Sequence, residues 1–204
     1  IIKIAKISEK ISKKYKVPIA IAPPHHLIPL ITKFKITVLA QHVDDKKVGS
    51  TTGFMVPEIV KKSKINGSII NHSEHRISEK EIISLVKRLK KLKLKTVQSV
   101  KNVNEAKKYA KLNPTFIAIE PPELIGTGRA ISTEKPALIT NAVKAVSSAK
   151  NSTKLLCGAG IVSGQDVSKA KELGAKGILV ASGIVKAKSW EKSISEFCKG
   201  LKSQ

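Results

Sequence analysis

Short apolar runs alternate with longer amphipathic ones along the whole chain of 204 residues, and this alternation restricts the fold more than any other feature. The strand candidates are Val17 to Ala22, Ile36 to Gln41, Ser68 to Asn71, Thr96 to Ser99, Phe116 to Glu120, Lys154 to Cys157 and Gly177 to Val180. Helical patterns cover Ile1 to Tyr15, Pro24 to Lys33, Gly53 to Lys64, Ser78 to Leu92, Asn102 to Leu112, Lys135 to Ala149, Gly164 to Leu173 and Ser189 to Leu201. Ser78 followed three residues later by Glu81 marks a helix start, because each side chain satisfies an orphan backbone donor of the other residue. Most of the strands are largely apolar, as expected of a parallel sheet covered on both faces.

Seven strands and eight helices, opening on a helix, make an odd count for a closed parallel barrel. The expected fold is therefore an α/β barrel of eight strand–helix units, (β/α)8, lacking its first strand and forming a single domain over 1–204. An open flavodoxin-like sheet is the alternative. The only methionine is Met55, so Ile1 is not expected to be the start of the gene product.

Composition removes several classes of function. No run of about 18 apolar residues occurs and no charged-then-apolar leader opens the chain, so the expectation is a soluble, cytoplasmic protein without a membrane partner. Cys157 and Cys198 lack metal-type spacing, which suggests neither zinc nor a disulfide framework. The 38 Lys and Arg against 15 Asp and Glu give a formal charge of +23. Such a charge attracts anions over the whole surface. With only one Trp, two Tyr and four Phe to stack on bases, it is read as a solvated coat favouring anionic substrates, and no dedicated nucleic-acid partner is expected.

Two segments carry chemistry. Asn71-His72-Ser73-Glu74 and Glu120-Pro121-Pro122-Glu123-Leu124-Ile125-Gly126-Thr127-Gly128 each follow a strand candidate, which in a parallel barrel puts them on the carboxyl-terminal face. An imidazole and a carboxylate at strand ends, with a glycine-rich loop beside the carboxylate, are suited to moving a proton next to an anionic group. Ser73 and Glu74 are common first-turn residues and predict a short helix whose amino terminus faces His72. His42 reads as a satisfied core histidine, and His25, His26 and His75 as surface or loop residues. His72 and His75 share a three-residue spacing, but no third metal ligand is evident, so no metal site is assigned.

Together with Cys157-Gly158-Ala159-Gly160-Ile161 and Val180-Ala181-Ser182-Gly183, these segments closely resemble the triosephosphate isomerases, in particular the shorter archaeal branch, over the whole chain and in order. The resemblance implies isomerisation of a small phosphorylated triose without cofactor or metal. It implies Glu120 as the base, His72 as the group polarising the carbonyl oxygens, and Pro121 to Ile131 as a lid carrying Ile125 and Gly126. Gly160, Ala181 and Ser182 would complete the phosphate cradle. Glu74 would be the acidic partner of a lysine that the family carries at the end of its first strand, in an Asn-x-Lys pair with no counterpart before Ile1. A homo-oligomer, a tetramer by analogy, is also implied, with contacts from Gln41 to Gly53. A different sugar-phosphate barrel enzyme, or a barrel that binds without catalysis, is the competing reading.

Overall fold

In the computed structural model, which describes residues 1–202, six strands form one sheet in which every neighbouring pair is parallel. They are β1 (Ala20–Ile21), β2 (Thr37–Ala40), β3 (Gly67–Ile70), β4 (Lys95–Val100), β5 (Phe116–Ile119) and β6 (Lys154–Cys157). Their order in the sheet is their order in the sequence. A doubly wound sheet reverses its order at a switch point, so this unreversed succession is that of a barrel wall and not of the flavodoxin-like alternative.

The seventh strand candidate is much reduced. Within Gly177 to Val180 the pairing is a single parallel bridge between Ile178 and Cys157, supported by hydrogen bonds from Cys157 N to Gly177 O and from Leu179 N to Cys157 O. The first candidate likewise shrinks from Val17–Ala22 to two residues. Both lie at the margins of the sheet, each paired on one side only among the described residues, and edge strands are commonly short.

Helices α1 (Ile2–Tyr15), α2 (Pro57–Lys62), α3 (Glu79–Lys91), α4 (Val103–Ala110), α6 (Pro136–Ser147), α7 (Gly164–Glu172) and α9 (Trp190–Lys202) lie where the periodicity predicts them, and two four-residue helices, α5 (Ile131–Glu134) and α8 (Ser182–Val185), are added to them. The Pro24 to Lys33 pattern is instead a 3-10 helix over His25–Leu30, with Pro29 inside it. The box at Ser78 is formed in full: Glu81 N donates to the serine hydroxyl, and Ser78 N donates to the Glu81 carboxylate at 2.8 Å.

The sheet has two different faces. Leu39, Ile69, Val97 and Ala118, one from each of β2 to β5, form a small cluster with Leu156 and Leu179, the layered filling of a barrel interior. Alternate residues such as Val38, Ile70, Ile117, Ile119 and Leu155 join the large cluster that includes Ile82, Leu85, Leu89, Ile139 and Val167 from the helices. A third cluster of Ile11, Ile194 and Cys198 packs α1 against α9, bringing together the two ends of the chain.

Candidate active site

The site starts with backbone strain at the end of β3. Asn71 is buried with φ 57°, a left-handed conformation that asparagine tolerates better than most residues. Its side chain ties the turn down: Nδ2 donates to Ser99 O at 3.1 Å and Oδ1 accepts from Ile77 N at 3.2 Å. The chain then reverses in a turn closed by His75 N donating to His72 O at 2.9 Å. No helix follows His72, contrary to the sequence expectation; Ser73 and Glu74 lie in this single turn, because Asn71 and Ile77 pinch the segment shut before a helix can propagate.

The turn aims His72 at the end of β5. Its Nε2 stands 3.5 Å from Oε1 of Glu120, the residue directly after that strand. On the other side of the ring Nδ1 lies 3.4 Å from Glu74 N and 3.6 Å from Glu74 Oε2. An Nδ1 that accepts from Glu74 N leaves the proton on Nε2, pointing at Glu120; an imidazolium would turn Nδ1 into a donor for the Glu74 carboxylate. The histidine is held above its ordinary value, chiefly by the hydrogen bond to Glu120. Burial opposes this, the charges of Glu120 and Glu74 reinforce it, and Arg76 opposes it.

Glu120 is buried, and its Oε2 has no hydrogen-bond partner among the described residues. An unpartnered buried carboxylate oxygen is costly to a fold and is most often kept for a ligand or for chemistry. Gly158, just beyond β6, holds this carboxylate in place by having no side chain. A β-carbon there would stand 2.4 Å from Glu120 Cγ and 2.8 Å from Oε1. Gln98 Oε1 and Ser99 Oγ, at the carboxyl end of β4, are also buried without partners. The sequence offers Gly158 only as one member of the Cys157 to Ile161 segment, and gives Gln98 and Ser99 no role. The signal for those two was polar residues within an apolar strand, which acquires meaning only when β4 is seen beside β5.

Beyond Glu120 the chain forms a short 3-10 turn over Pro122–Leu124, then runs exposed from Gly126 to Arg129 and returns into the core at Ala130 and Ile131. Leu124 is buried and anchors the near side. The tip is internally braced, with Thr127 Oγ1 donating to Leu124 O at 2.9 Å and accepting from Arg129 N at 3.1 Å. Ion pairs of Lys135 with Glu123 and of Glu134 with Arg129 tether both flanks to the segment that follows.

Ile125 is half-buried, and Gly126, at φ 75°, is exposed, with nothing within 4 Å of where a β-carbon would stand. Gly160 meets the far end of the loop: at φ 71°, a β-carbon on it would come 1.8 Å from Arg129 O. Ala181 and Ser182 are exposed where the four-residue helix α8 (Ser182–Val185) begins, and Gly183 lies against Ile161, where a β-carbon would be 2.4 Å from the carbonyl oxygen. The loops after β6 and after Val180 thus touch each other, and the first of them touches both Glu120 and the end of the Pro121 to Ile131 loop.

The other histidines form a separate group. The rings of His42 and His75 stack at 3.8 Å between centroids. His42 Nε2 also lies 3.4 Å from Asp44 Oδ1, and His42 N donates to His25 Nε2 at 3.3 Å. Burial is the main reason His42 is pushed below its ordinary value. His75 therefore faces His42 rather than sharing a ligand with His72. Burial also pushes the Cys157 thiol up to about 12, which leaves it inert as a nucleophile.

The family model for triosephosphate isomerase matches residues 2–197. The triosephosphate isomerase of Cenarchaeum symbiosum (strain A) is 53% identical over 188 residues, 92% of this chain and 84% of the relative. That of Methanocaldococcus jannaschii is 42% identical over 199 residues, 97% and 91% of the two chains. That of Caldivirga maquilingensis is 42% identical over 201 residues, 98% and 89%. With matches of this extent, and a buried carboxylate facing an imidazole at two strand ends, the chain belongs to the triosephosphate isomerase family.

Proposed function

We propose that this protein interconverts dihydroxyacetone phosphate and glyceraldehyde 3-phosphate, with Glu120 as the base and His72 as the electrophile. The 3.5 Å approach of His72 Nε2 to Glu120 Oε1 carries the proposal. A substrate carbon and its carbonyl oxygen, set between the two groups, would meet the carboxylate and the imidazole N–H together. Glu120 takes the proton from the carbon beside the carbonyl; the electrons of that C–H bond form the C=C bond of an enediolate, and the carbonyl oxygen becomes the oxyanion facing Nε2. Proton exchange between the two oxygens through His72, and return of the proton to the neighbouring carbon from Glu120, complete the isomerisation without oxidant or reductant.

The substrate phosphate would lie under the lid, with the Gly126 amide from one side and the backbone around Gly160, Ala181 and Ser182 from the other. Exposed small residues near the start of α8 suit an anion, since little stands between the backbone N–H groups and a ligand. Closure of Pro121 to Ile131 would exclude water from the enediolate. Glu74 acts behind His72, setting its tautomer through the backbone N–H. A single domain acting in the cytoplasm as a homo-oligomer, a tetramer by analogy, completes the reading. The exposed apolar residues Val48 and Phe54, on the loop after β2, are the surface that assembly would cover.

A coupled assay for triose phosphate isomerisation on the purified protein and on Glu120→Gln tests this. Turnover by the parent and its loss in the variant are expected. An E120Q variant with near-normal turnover would remove Glu120 from its role and favour a different sugar-phosphate barrel enzyme.

A further inference from the structure

The charge of +23 is not evenly spread over the fold. All of the 15 acidic residues except Glu9, Glu172 and Glu196 lie in connections from a strand to the next helix, or in a helix's first turn. The opposite connections, from helix to strand, hold no acidic residue, and those after α1, α2, α3, α4, α6 and α7 each carry one lysine: Lys16, Lys64, Lys93, Lys111, Lys150 and Lys176. One face of the barrel therefore collects nearly all of the carboxylates, in a mixture with cations, whereas the other presents lysines with few carboxylates beside them.

Helix chemistry alone does not account for these lysines. Cations in the last helical turn are favourable because carbonyl groups end there, and Lys13, Lys14, Lys61, Lys62, Lys90 and Lys91 already fill that role. Beyond them, six helix-to-strand turns hold a residue in the left-handed conformation. One is Gly174 and one is Asn113, the residue types that accept it most easily. The other four are Lys16, Lys64, Lys93 and Lys150, at φ 52°, 59°, 57° and 51°. Lysine is unfavourable there, so the backbone is not what selects it.

On this face is a cavity of about 460 Å³ between the starts of β4, β5 and β6, whose lining includes Lys90, Lys93, Lys95, Lys154, Thr115 and Ser152. No acidic residue lines it, and none of the four lysines forms an ion pair among the described residues. It lies at the amino-terminal end of the strands, whereas His72 and Glu120 follow their carboxyl-terminal ends, about 15 Å away along β4. Phe116 is the only aromatic residue lining it, so bases would find no stacking platform.

We propose that this cavity is a second anion site, opposite the active site, which binds a condensed phosphate chain, whether free inorganic polyphosphate or the triphosphate tail of a nucleotide. Four lysines without ion pairs lining one concave space match several adjacent phosphates, whereas a single phosphate would leave most of them unused.

Calorimetric titration with tripolyphosphate, ATP and orthophosphate in magnesium-free buffer at physiological salt tests the proposal. Tripolyphosphate should bind at least tenfold more tightly than orthophosphate. Lys93→Asn with Lys154→Gln should lose at least tenfold of that affinity while isomerase turnover stays unchanged, which also shows that the variant folds; asparagine keeps the left-handed backbone of position 93. A control, Lys3→Gln with Lys6→Gln on α1, should bind as the parent does. ATP binding as tightly as tripolyphosphate identifies the nucleotide tail, and longer inorganic chains binding more tightly than ATP identify polyphosphate. Equal losses in both double variants would reveal a diffuse coat and overturn the site. So would competition of tripolyphosphate with triose phosphate at the active site.

Discussion

Gly158 and Glu120 are so close that a β-carbon on the glycine would stand 2.4 Å from Glu120 Cγ. The carboxylate is thus pressed between the loop after β6 and His72, and its position depends on an atom that is absent.

Gly158→Ala should therefore push Glu120 off its line to His72 rather than unfold the protein. We expect turnover to fall at least about tenfold with a smaller change in KM, since the displaced base acts on the chemical step. Steady-state kinetics beside a thermal melt checks this. Full turnover in G158A would mean that the carboxylate has room the structure does not show.

Removing either chemical group should cost more. Glu120→Gln and His72→Asn should each lower turnover by about two orders of magnitude or more, and the double variant should lose less than the product of the two, because both groups serve one intermediate. Strict multiplicativity of the two losses would argue against their acting together.

The hydrogen bond to Glu120 is the largest influence raising the His72 titration point. In E120Q that point should fall, because burial and Arg76 then oppose the charged ring with only Glu74 in its favour. The linked stability has a definite sign. A raised folded value means that the stabilising pairing is fully present below the ordinary imidazole value of about 6.5 and is lost as pH rises through the folded value. NMR titration of the His72 ring in parent and variant measures the shift; an upward move in E120Q would refute its assigned cause.

Arg88 links three segments. Its guanidinium donates through Nε and Nη2 to Glu58 at 2.8 and 2.5 Å, and Nη1 lies 3.5 Å from Asp45 Oδ1. These hydrogen bonds hold the Glu58 carboxyl below its usual range. Arg88→Met should cost about 1 kcal/mol at neutral pH, a figure discounted for partial exposure. Glu58 is depressed, so this contribution is present above the ordinary carboxylate value and fades as pH falls through the folded one. Denaturant melts of both proteins at neutral pH and near pH 3 should show the gap closing; a gap that widens in acid would contradict the pairing.

Gly160→Ala combines a left-handed backbone with a clash against Arg129 O, and should destabilise the protein by roughly 1–3 kcal/mol while loosening the far end of the lid. Limited proteolysis should then cut within Gly126 to Arg129 faster than in the parent. Unchanged cleavage and melting would show that the loop after β6 does not brace the lid.

Periodicity alone determined the parallel α/β architecture, because an apolar run bounded by turn residues has few ways to hide both of its faces. It also placed His72 and Glu120 at strand ends, since a residue's position relative to the end of an apolar run is a local property. Tertiary structure decided what local pattern does not encode. The margins of the sheet proved shorter than their apolar runs, because strand length depends on partners. The helix expected after His72 became a turn, because Asn71 and Ile77, six residues apart, close on each other. The partner of Glu120 is Gly158, 38 residues away in sequence, and a glycine's significance lies in what presses against it. The concentration of lysine on one face became visible only when turns far apart in the chain were brought to the same end of the strands.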